Sequence, residues 1–243
     1  MSASFGVEPL AWDTHFWGVI AARATAEQVT DLAHVEELCR RLGVDWVSLL
    51  VPAANVDLIN EAVRDGYDIV DFRHTMRKPL VGPFPAGETD LAEPDDVDAM
   101  AKIAVTAFGR SRFFVDRHLD DDTCAAFYEM WVRNSLDGSM AEAAVVSRYR
   151  KRVDGFVTVK VRPDGVGVLP LVAIRGDRRG QGIGRRLVGD ALGWLGERGA
   201  ETAEVVTQSS NTTAIKLYES AGFATVDISA WLHRWFEPVA PVS

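Results

Sequence analysis

An apolar, β-type run opens at Val172, breaks into a glycine-rich turn and continues, from Gly182 or Gly184, as an amphipathic helix. Ile183, Leu187, Ala191, Leu192 and Leu195 share one face of that helix. Arg178, Arg179, Arg185 and Arg186 surround the turn in a protein of net charge −9. A strand, a glycine turn and a helix start together present unpaired backbone N–H groups at the positive end of a helix dipole, a site suited to phosphate oxygens. Gly180, Gly182 and Gly184 let the backbone approach an anion closely, and the arginines add charge-assisted hydrogen bonds. No Gly-Lys-Ser/Thr follows, so the spacing is not that of a P-loop. Arg179 stands where a dinucleotide fingerprint needs its first glycine.

The elements that must position this turn follow from hydrophobic pattern. After an aromatic-rich start (Trp12, Phe16, Trp17), read as packing, come a short apolar strand and a helix over Ala26–Leu42 stopped by Gly43. A strand at Trp46–Val51, a helix at Asn55–Arg64 and a strand at Tyr67–Met76 follow. The stretch Pro79–Gly87, rich in proline and glycine, reads as a linker. Beyond it lie a helix from Asp95 or Asp96 to Phe108, a loop at Gly109–Phe114 and a helix at Asp121–Leu136. Strands are expected at Ala141–Tyr149, Arg152–Val161 and Gly165–Arg175, the last interrupted by Pro170, which cannot donate to a ladder. After the turn and its helix come a strand at Ala203–Thr207, a helix at Asn211–Ala221, a strand at Phe223–Phe236 and a polar tail, Glu237–Ser243. The order predicts an α/β fold built on a mixed sheet with helices on both faces.

Composition narrows the function. A chain of 243 residues, 47% hydrophobic and 25% charged, is globular and long enough for a substantial core. Its acidic balance argues against general nucleic-acid or anionic-membrane binding. No signal-peptide pattern or membrane-length apolar run occurs, so a cytoplasmic location is expected. Cys39 and Cys124 lie off any metal-ligand spacing and read as buried small hydrophobes, with a single disulfide the lesser alternative; no metal is implied.

The run Arg179-Gly-Gln-Gly-Ile-Gly184 resembles the Arg/Gln-x-x-Gly-x-Gly/Ala signature of the GCN5-related N-acetyltransferases (GNAT), where the turn grips the diphosphate of coenzyme A. Downstream, Asn211-Thr-Thr-Ala214, Tyr218 and Gly222-Phe223 resemble the motif that follows that turn in the same family. The resemblance implies a GNAT-type, mostly antiparallel twisted sheet flanked by helices, with acetyl-CoA as cosubstrate. It carries coenzyme contacts onto Leu171, Val172, Ala173, Arg178, Arg179, Gly180, Gln181, Gly182, Ile183, Gly184, Arg185, Asn211 and Ala214. It also makes Tyr218 the proton donor to the leaving thiolate. A thiol with a pKa of roughly 8.5 and a tyrosine of about 10 make that role chemically sensible. The carbonyl oxygen would be met by the backbone N–H of Leu171 or Val172.

Shifting the sequence by 156 positions lays Ser48–Lys78 on Glu204–Arg234 without a gap, with Asn55 on Asn211, Gly66 on Gly222 and Asp71 on Asp227. Residues 1–80 therefore read as a degenerate GNAT-like domain, 81–88 as a linker and 89–243 as the acetyltransferase domain. Ala62 replaces the tyrosine and no glycine turn precedes it, so the first copy is read as structural or substrate-shaping.

Glu8–Asp13, Phe16-Trp-Gly18, Ser111-Arg-Phe113, Phe127-Tyr128 with Trp131 and Asn134, and Trp231–Arg234 resemble the bacterial nucleotide-amino-sugar N-acetyltransferases, which act on dTDP-linked 4-amino-4,6-dideoxyhexoses. The implied partner is the amine of a sugar nucleotide, with Arg112 for its phosphate and Phe113 or Tyr128 for stacking. Ile174–Arg179 is longer and more basic than in the type member of that group. Other readings are acetylation of an antibiotic amine or a protein N-terminus, and a non-catalytic acyl-CoA-binding module. Asp116, His118 and His233 are weighed as general base and none is assigned. Edge pairing of Phe223–Phe236 leaves a homodimer open.

Overall fold

The computed structural model describes residues 6–25, 31–83, 87 and 89–236. The elements, in order, are β1 (Val7–Pro9), α1 (Ala11–Trp17), β2 (Ala21–Thr25), α2 (Leu32–Leu42), β3 (Trp46–Pro52), α3 (Val56–Arg64), β4 (Asp68–Pro79) and β5 (Asp90–Leu91). They continue with α4 (Val97–Ala107), α5 (Arg112–Val115), α6 (Asp121–Leu136), β6 (Ala143–Tyr149), β7 (Arg152–Val161), β8 (Val166–Leu169) and β9 (Val172–Ile174). The last are α7 (Ile183–Glu197), β10 (Thr202–Gln208), α8 (Thr212–Ser220) and β11 (Ala224–Trp235). The fold is mixed α/β with a mostly antiparallel open sheet flanked by helices.

The chain divides into two compact units. The described part of the first comprises residues up to Arg73, Val115–Leu119 and the chain from Ile228; the second comprises His74–Phe114 and Asp120–Asp227. The linear cut at 81–88 expected from composition therefore differs from the compact units, which divide inside β4 and inside β11. Both strands are 12 residues long, roughly 40 Å when extended, enough for one strand to serve two units. Composition marks flexible linkers and carries no signal for a strand shared in this way. The linker positions 84–86 and 88, the helix start at 26–30 and the tail 237–243 lie outside the described residues.

In the first unit β1 pairs antiparallel with β2, β2 parallel with β3, and β3 antiparallel with Ser229–Trp235 of β11. Asp31 caps α2 by accepting from the Ala33 N–H, and Gly43 ends it at φ 65°. A left-handed stop of that kind favours a residue without Cβ. Leu32, Val35 and Cys39 recur on the buried side of α2 and pack with Val47, Leu49, Ile59 and Leu232. Burial pushes the Cys39 thiol up to about 12. Cys39 and Cys124 are both buried and are not joined in a disulfide. The aromatic start folds as the short helix α1, where Trp12 stacks on Phe16 and Phe16 meets Trp17 edge-on.

In the second unit the strand order is β4, β10, β8, β7, β6, β5, with β9 beside β7. β10 runs parallel to β8, while the β8–β7, β7–β6 and β6–β5 pairs are antiparallel. Ile183, Leu187, Val188, Ala191, Leu192 and Leu195 of α7 are buried with Val157, Val159, Leu169, Val205, Tyr218 and Phe223. Each buried leucine there contributes about 1.5–3 kcal/mol. This packing fixes the glycine turn, because α7 cannot rotate without exposing its apolar stripe.

The two segments related by the 156-residue shift have matching element bounds. Trp46–Pro52 corresponds to Thr202–Gln208, Val56–Arg64 to Thr212–Ser220, and Asp68–Pro79 to Ala224–Trp235.

Candidate functional site

The expected break at Pro170 is present, and it opens an edge. β8 pairs with both β7 and β10, whereas β9 pairs with β7 and with no second strand among the described residues. In β9, Ala173 lies opposite Phe156, while Leu171 and Arg175 flank it in register with Thr158 and Asp154. Leu171 N–H donates to Thr158 Oγ1 at 3.0 Å, and Arg175 N–H donates to the Asp154 carbonyl at 2.9 Å. Strand alternation turns the N–H groups of Val172 and Ile174 the other way, toward the side without a partner. Of the two backbone N–H groups considered for a carbonyl oxygen, Leu171's is thus already engaged. Thr158, fully buried on β7, is the reason, and sequence pattern gave no hint of it.

The turn itself is short. Gly176–Arg178 form one 3-10 turn, Gly180 and Gly182 have φ 75° and 77°, and Gly182 opens α7. No side chain caps α7. The N–H groups of Gly180, Gly182, Ile183 and Gly184 donate to no protein acceptor among the described residues. They converge where the helix dipole is positive. A Cβ on Gly184 would lie 3.1 Å from Leu217 and 3.2 Å from Ile174, so this glycine lets α7 sit close to α8 and β9. Ile183 is buried, Arg185 is exposed, Arg179 Nε donates to the Ile174 carbonyl at 3.3 Å, and Gln181 Nε2 donates to the Asp177 carbonyl at 3.4 Å. Arg178 is held more firmly. Its Nε donates to Asp154 Oδ2 at 3.3 Å and its guanidinium lies 4.3 Å from the Tyr149 ring centre.

Asn211 caps α8, its Oδ1 accepting from the Ala214 N–H at 3.2 Å. Two turns on, Tyr218 is buried (3% exposed) with its ring edge-on to Phe223 at 5.9 Å. Its hydroxyl has no hydrogen-bond partner among the described residues. Burial pushes its pKa above the ordinary tyrosine value, so the phenol stays protonated at neutral pH.

The residues considered for the acceptor take different places. Phe113 and Tyr128 are buried. Phe108 stacks on Tyr128 at 4.8 Å, Trp131 stacks at 6.0 Å, and Phe113 tilts against Phe127 at 4.6 Å. Their rings serve packing between α4, α5 and α6. Arg112 is half-buried with its guanidinium over the Phe113 ring at 4.6 Å.

In the first unit Asp116 lies buried against His233, Trp235 and His118, whose ring Nδ1 also stands 3.0 Å from the Asp116 Oδ1. His233 Nδ1 stands at 2.7 Å and Trp235 Nε1 at 2.9 Å from its Oδ2, and His118 N–H at 3.0 Å from its Oδ1. Burial alone would raise this carboxyl, but the bonds from His233, Trp235 and His118 outweigh it and hold the group well below the usual carboxylate range. Trp235 stacks on Trp46 at 5.3 Å and on the His118 ring at 5.1 Å.

Among the described residues no helix is long and apolar enough to cross a membrane, and no group of three or more His, Cys, Asp or Glu side chains is placed to hold a metal ion.

A model of the acetyltransferase (GNAT) family matches residues 83–223. The chain is 26% identical over 237 residues to dTDP-fucosamine acetyltransferase of Escherichia coli O6:H1, covering 96% of this chain and all of that protein. It is 30% identical over 151 residues to the spore coat polysaccharide biosynthesis protein SpsD of Bacillus subtilis, 62% of this chain and 52% of that one. A GCN5-related N-acetyltransferase from Sphaerobacter thermophilus has the same fold, with a TM-score of 0.65 at 17% identity over 97% of this chain and 78% of that one.

Proposed function

The chain belongs to the acetyltransferase (GNAT) family and is an acetyl-CoA-dependent N-acetyltransferase; from that premise we propose that it acetylates the amine of a nucleotide-linked amino sugar by direct attack. The residues fit the coenzyme. Val172 and Ile174 offer an unpaired backbone edge to the extended pantetheine arm, and the amides of Gly180–Gly184 with Arg178, Arg179 and Arg185 suit a diphosphate. Leu171, Ala173, Gln181 and Ile183 act through the backbone they hold in place, and Asn211 and Ala214 form the helix start beside the arm. When bound, the coenzyme supplies an activated acetyl thioester.

The chain's own residues then have separable tasks. Val172 N–H, freed by the break at Pro170, is the donor for the carbonyl oxygen as negative charge develops on it. Tyr218 gives its proton to the departing sulfur. Its raised pKa keeps that proton available, and the same desolvation raises the affinity of the sulfur for it. The single observation that carries the catalytic reading is the Tyr218 hydroxyl, unpartnered on an otherwise buried ring.

The choice of acceptor rests on the end-to-end similarity to a dTDP-fucosamine acetyltransferase. Arg112 is the residue proposed to meet a nucleotide phosphate. Phe113 and Tyr128, being buried, shape the surface beneath it. Residues 1–80 are proposed as a degenerate copy of the acetyltransferase unit that keeps the frame without the chemistry.

The test is release of free CoA thiol from acetyl-CoA with dTDP- and UDP-linked amino sugars, simple amines and short peptides. Turnover with a sugar nucleotide is the expected result. Turnover only with free amines or peptides would overturn the acceptor class and leave the coenzyme chemistry standing.

A further inference from the structure

The β6–β7 hairpin turns through Arg150 and Lys151, with Tyr149 paired to Arg152 across the strands. Both central residues have positive φ, 50° and 63°. A two-residue turn of this hand favours Asn-Gly, and side chains with a Cβ are strained in it. Two cations therefore occupy positions where the backbone alone would choose neither.

Among the described residues Arg150, Lys151, Arg152, Arg179, Arg185 and Arg186 enter no ion pair. Elsewhere Arg133, Arg148 and Arg162 each hold two carboxylates. Asp90, Glu93 and Asp96 line a recess with Lys151, and Arg148 engages Asp90 at 2.7 Å and Asp96 at 2.6 Å. Three of these cations, Arg150, Lys151 and Arg152, are consecutive at the hairpin tip, in a chain of net charge −9.

That place adjoins the glycine turn. Gly155 of β7 is in register with Ile174 of β9, and Arg175 bonds the Asp154 backbone. Two guanidinium groups approach the Tyr149 ring, Arg178 at 4.3 Å and Arg150 at 5.2 Å from its centre. Asp154, 1% exposed, fixes Arg178 from below through Oδ2, and its Oδ1 has no partner. Hairpin and turn thus meet at Tyr149, which contacts both Arg150 and Arg178, the latter bonded to a buried carboxylate.

Coenzyme A carries two anionic groups separated by one ribose, the diphosphate and the 3′-phosphate. We propose that the hairpin tip, Arg150 and Lys151, set beside the diphosphate turn by the contact of Tyr149 with Arg178, binds the 3′-phosphate, so that the protein distinguishes CoA from its dephospho form. The proposal rests on the coenzyme reading above and adds a second anion subsite to it.

The experiment measures affinity by calorimetry for acetyl-CoA and for 3′-dephospho-acetyl-CoA, in the wild type and in R150N/K151G. That variant installs the pair the turn prefers, so the hairpin is retained while both charges go. The wild type is expected to bind acetyl-CoA at least about ten-fold more tightly than the dephospho form, as charge-assisted contacts to a phosphate would give. The variant should lose that preference while keeping its affinity for the dephospho form. Equal wild-type affinity for the two coenzymes would overturn the subsite and leave the diphosphate turn intact. Equal weakening of both in the variant would also overturn it, because the hairpin would then act only as general attraction. Failure of the wild type to bind either coenzyme would overturn the coenzyme reading itself.

Discussion

Asn55 and Asn211 open their helices with nearly the same backbone, φ −88° and ψ 66° against φ −84° and ψ 65°. Each accepts from the N–H three residues on, at 3.3 Å and 3.2 Å. Eleven residues later Gly66 and Gly222 turn the chain at φ 87° and 89°. Over Gly66 lies Arg234 and over Gly222 lies Lys78, residues that are themselves 156 apart. Where the frames agree, the chemistry does not. Position 62 is a buried alanine and position 218 a tyrosine, and among the described residues the glycine turn between Ile174 and α7 lies in the unit of the second helix. The comparison teaches that caps, glycines and strand lengths preserve a fold, whereas a few residues superimposed on it make a site.

The largest effect that would separate the two copies is on the turn. Gly182→Val places a β-branched side chain at φ 77°, a conformation costing of order 1–3 kcal/mol. Calorimetry should show acetyl-CoA affinity reduced by about two orders of magnitude or more, since the donors around it lose their alignment. Next, Asp116→Asn removes the charge that His233, Trp235 and His118 solvate, with an expected loss of about 3 kcal/mol in urea denaturation. The sign follows from the depressed carboxyl. Its contribution is present above the unfolded carboxylate pKa of roughly 3.9 and is lost as pH falls below that value toward the folded one. The wild type should therefore lose its advantage over Asp116→Asn in acid.

Ala62→Tyr, which copies the second helix into the first, should destabilise by about 2 kcal/mol through overpacking and create no second coenzyme site. Calorimetric stoichiometry checks this. The smallest effect sharpens the comparison most finely. Asn55→Ala and Asn211→Ala should each cost about 1 kcal/mol of stability, but only the latter should raise KM for acetyl-CoA.

What could be read in advance depended on the range of the interactions. The glycine turn, α7, the break at Pro170 and both asparagine caps are local, and each leaves a mark in residue type and spacing. The short helix α1 hid behind aromatic residues too dense to show a period. Thr158 capturing the Leu171 N–H and Asp116 meeting His233 join residues distant in sequence, and only the folded chain reveals them. Residue type suggested that Phe113 and Tyr128 were stacking platforms. Their burial depends on Phe108, Phe127 and Trp131, which ring chemistry alone does not forecast. The partition of β4 and β11 between units was invisible for the same reason.

The most direct test of the account is Tyr218→Phe, with thiol release and CoA affinity measured on the same preparation. The account predicts kcat lower by roughly 10²–10⁴-fold, with CoA affinity unchanged, because the ring still fills its place against Phe223 and only the hydroxyl is gone. An unaltered kcat would contradict it and return Tyr218 to the packing role that its counterpart Ala62 already fills.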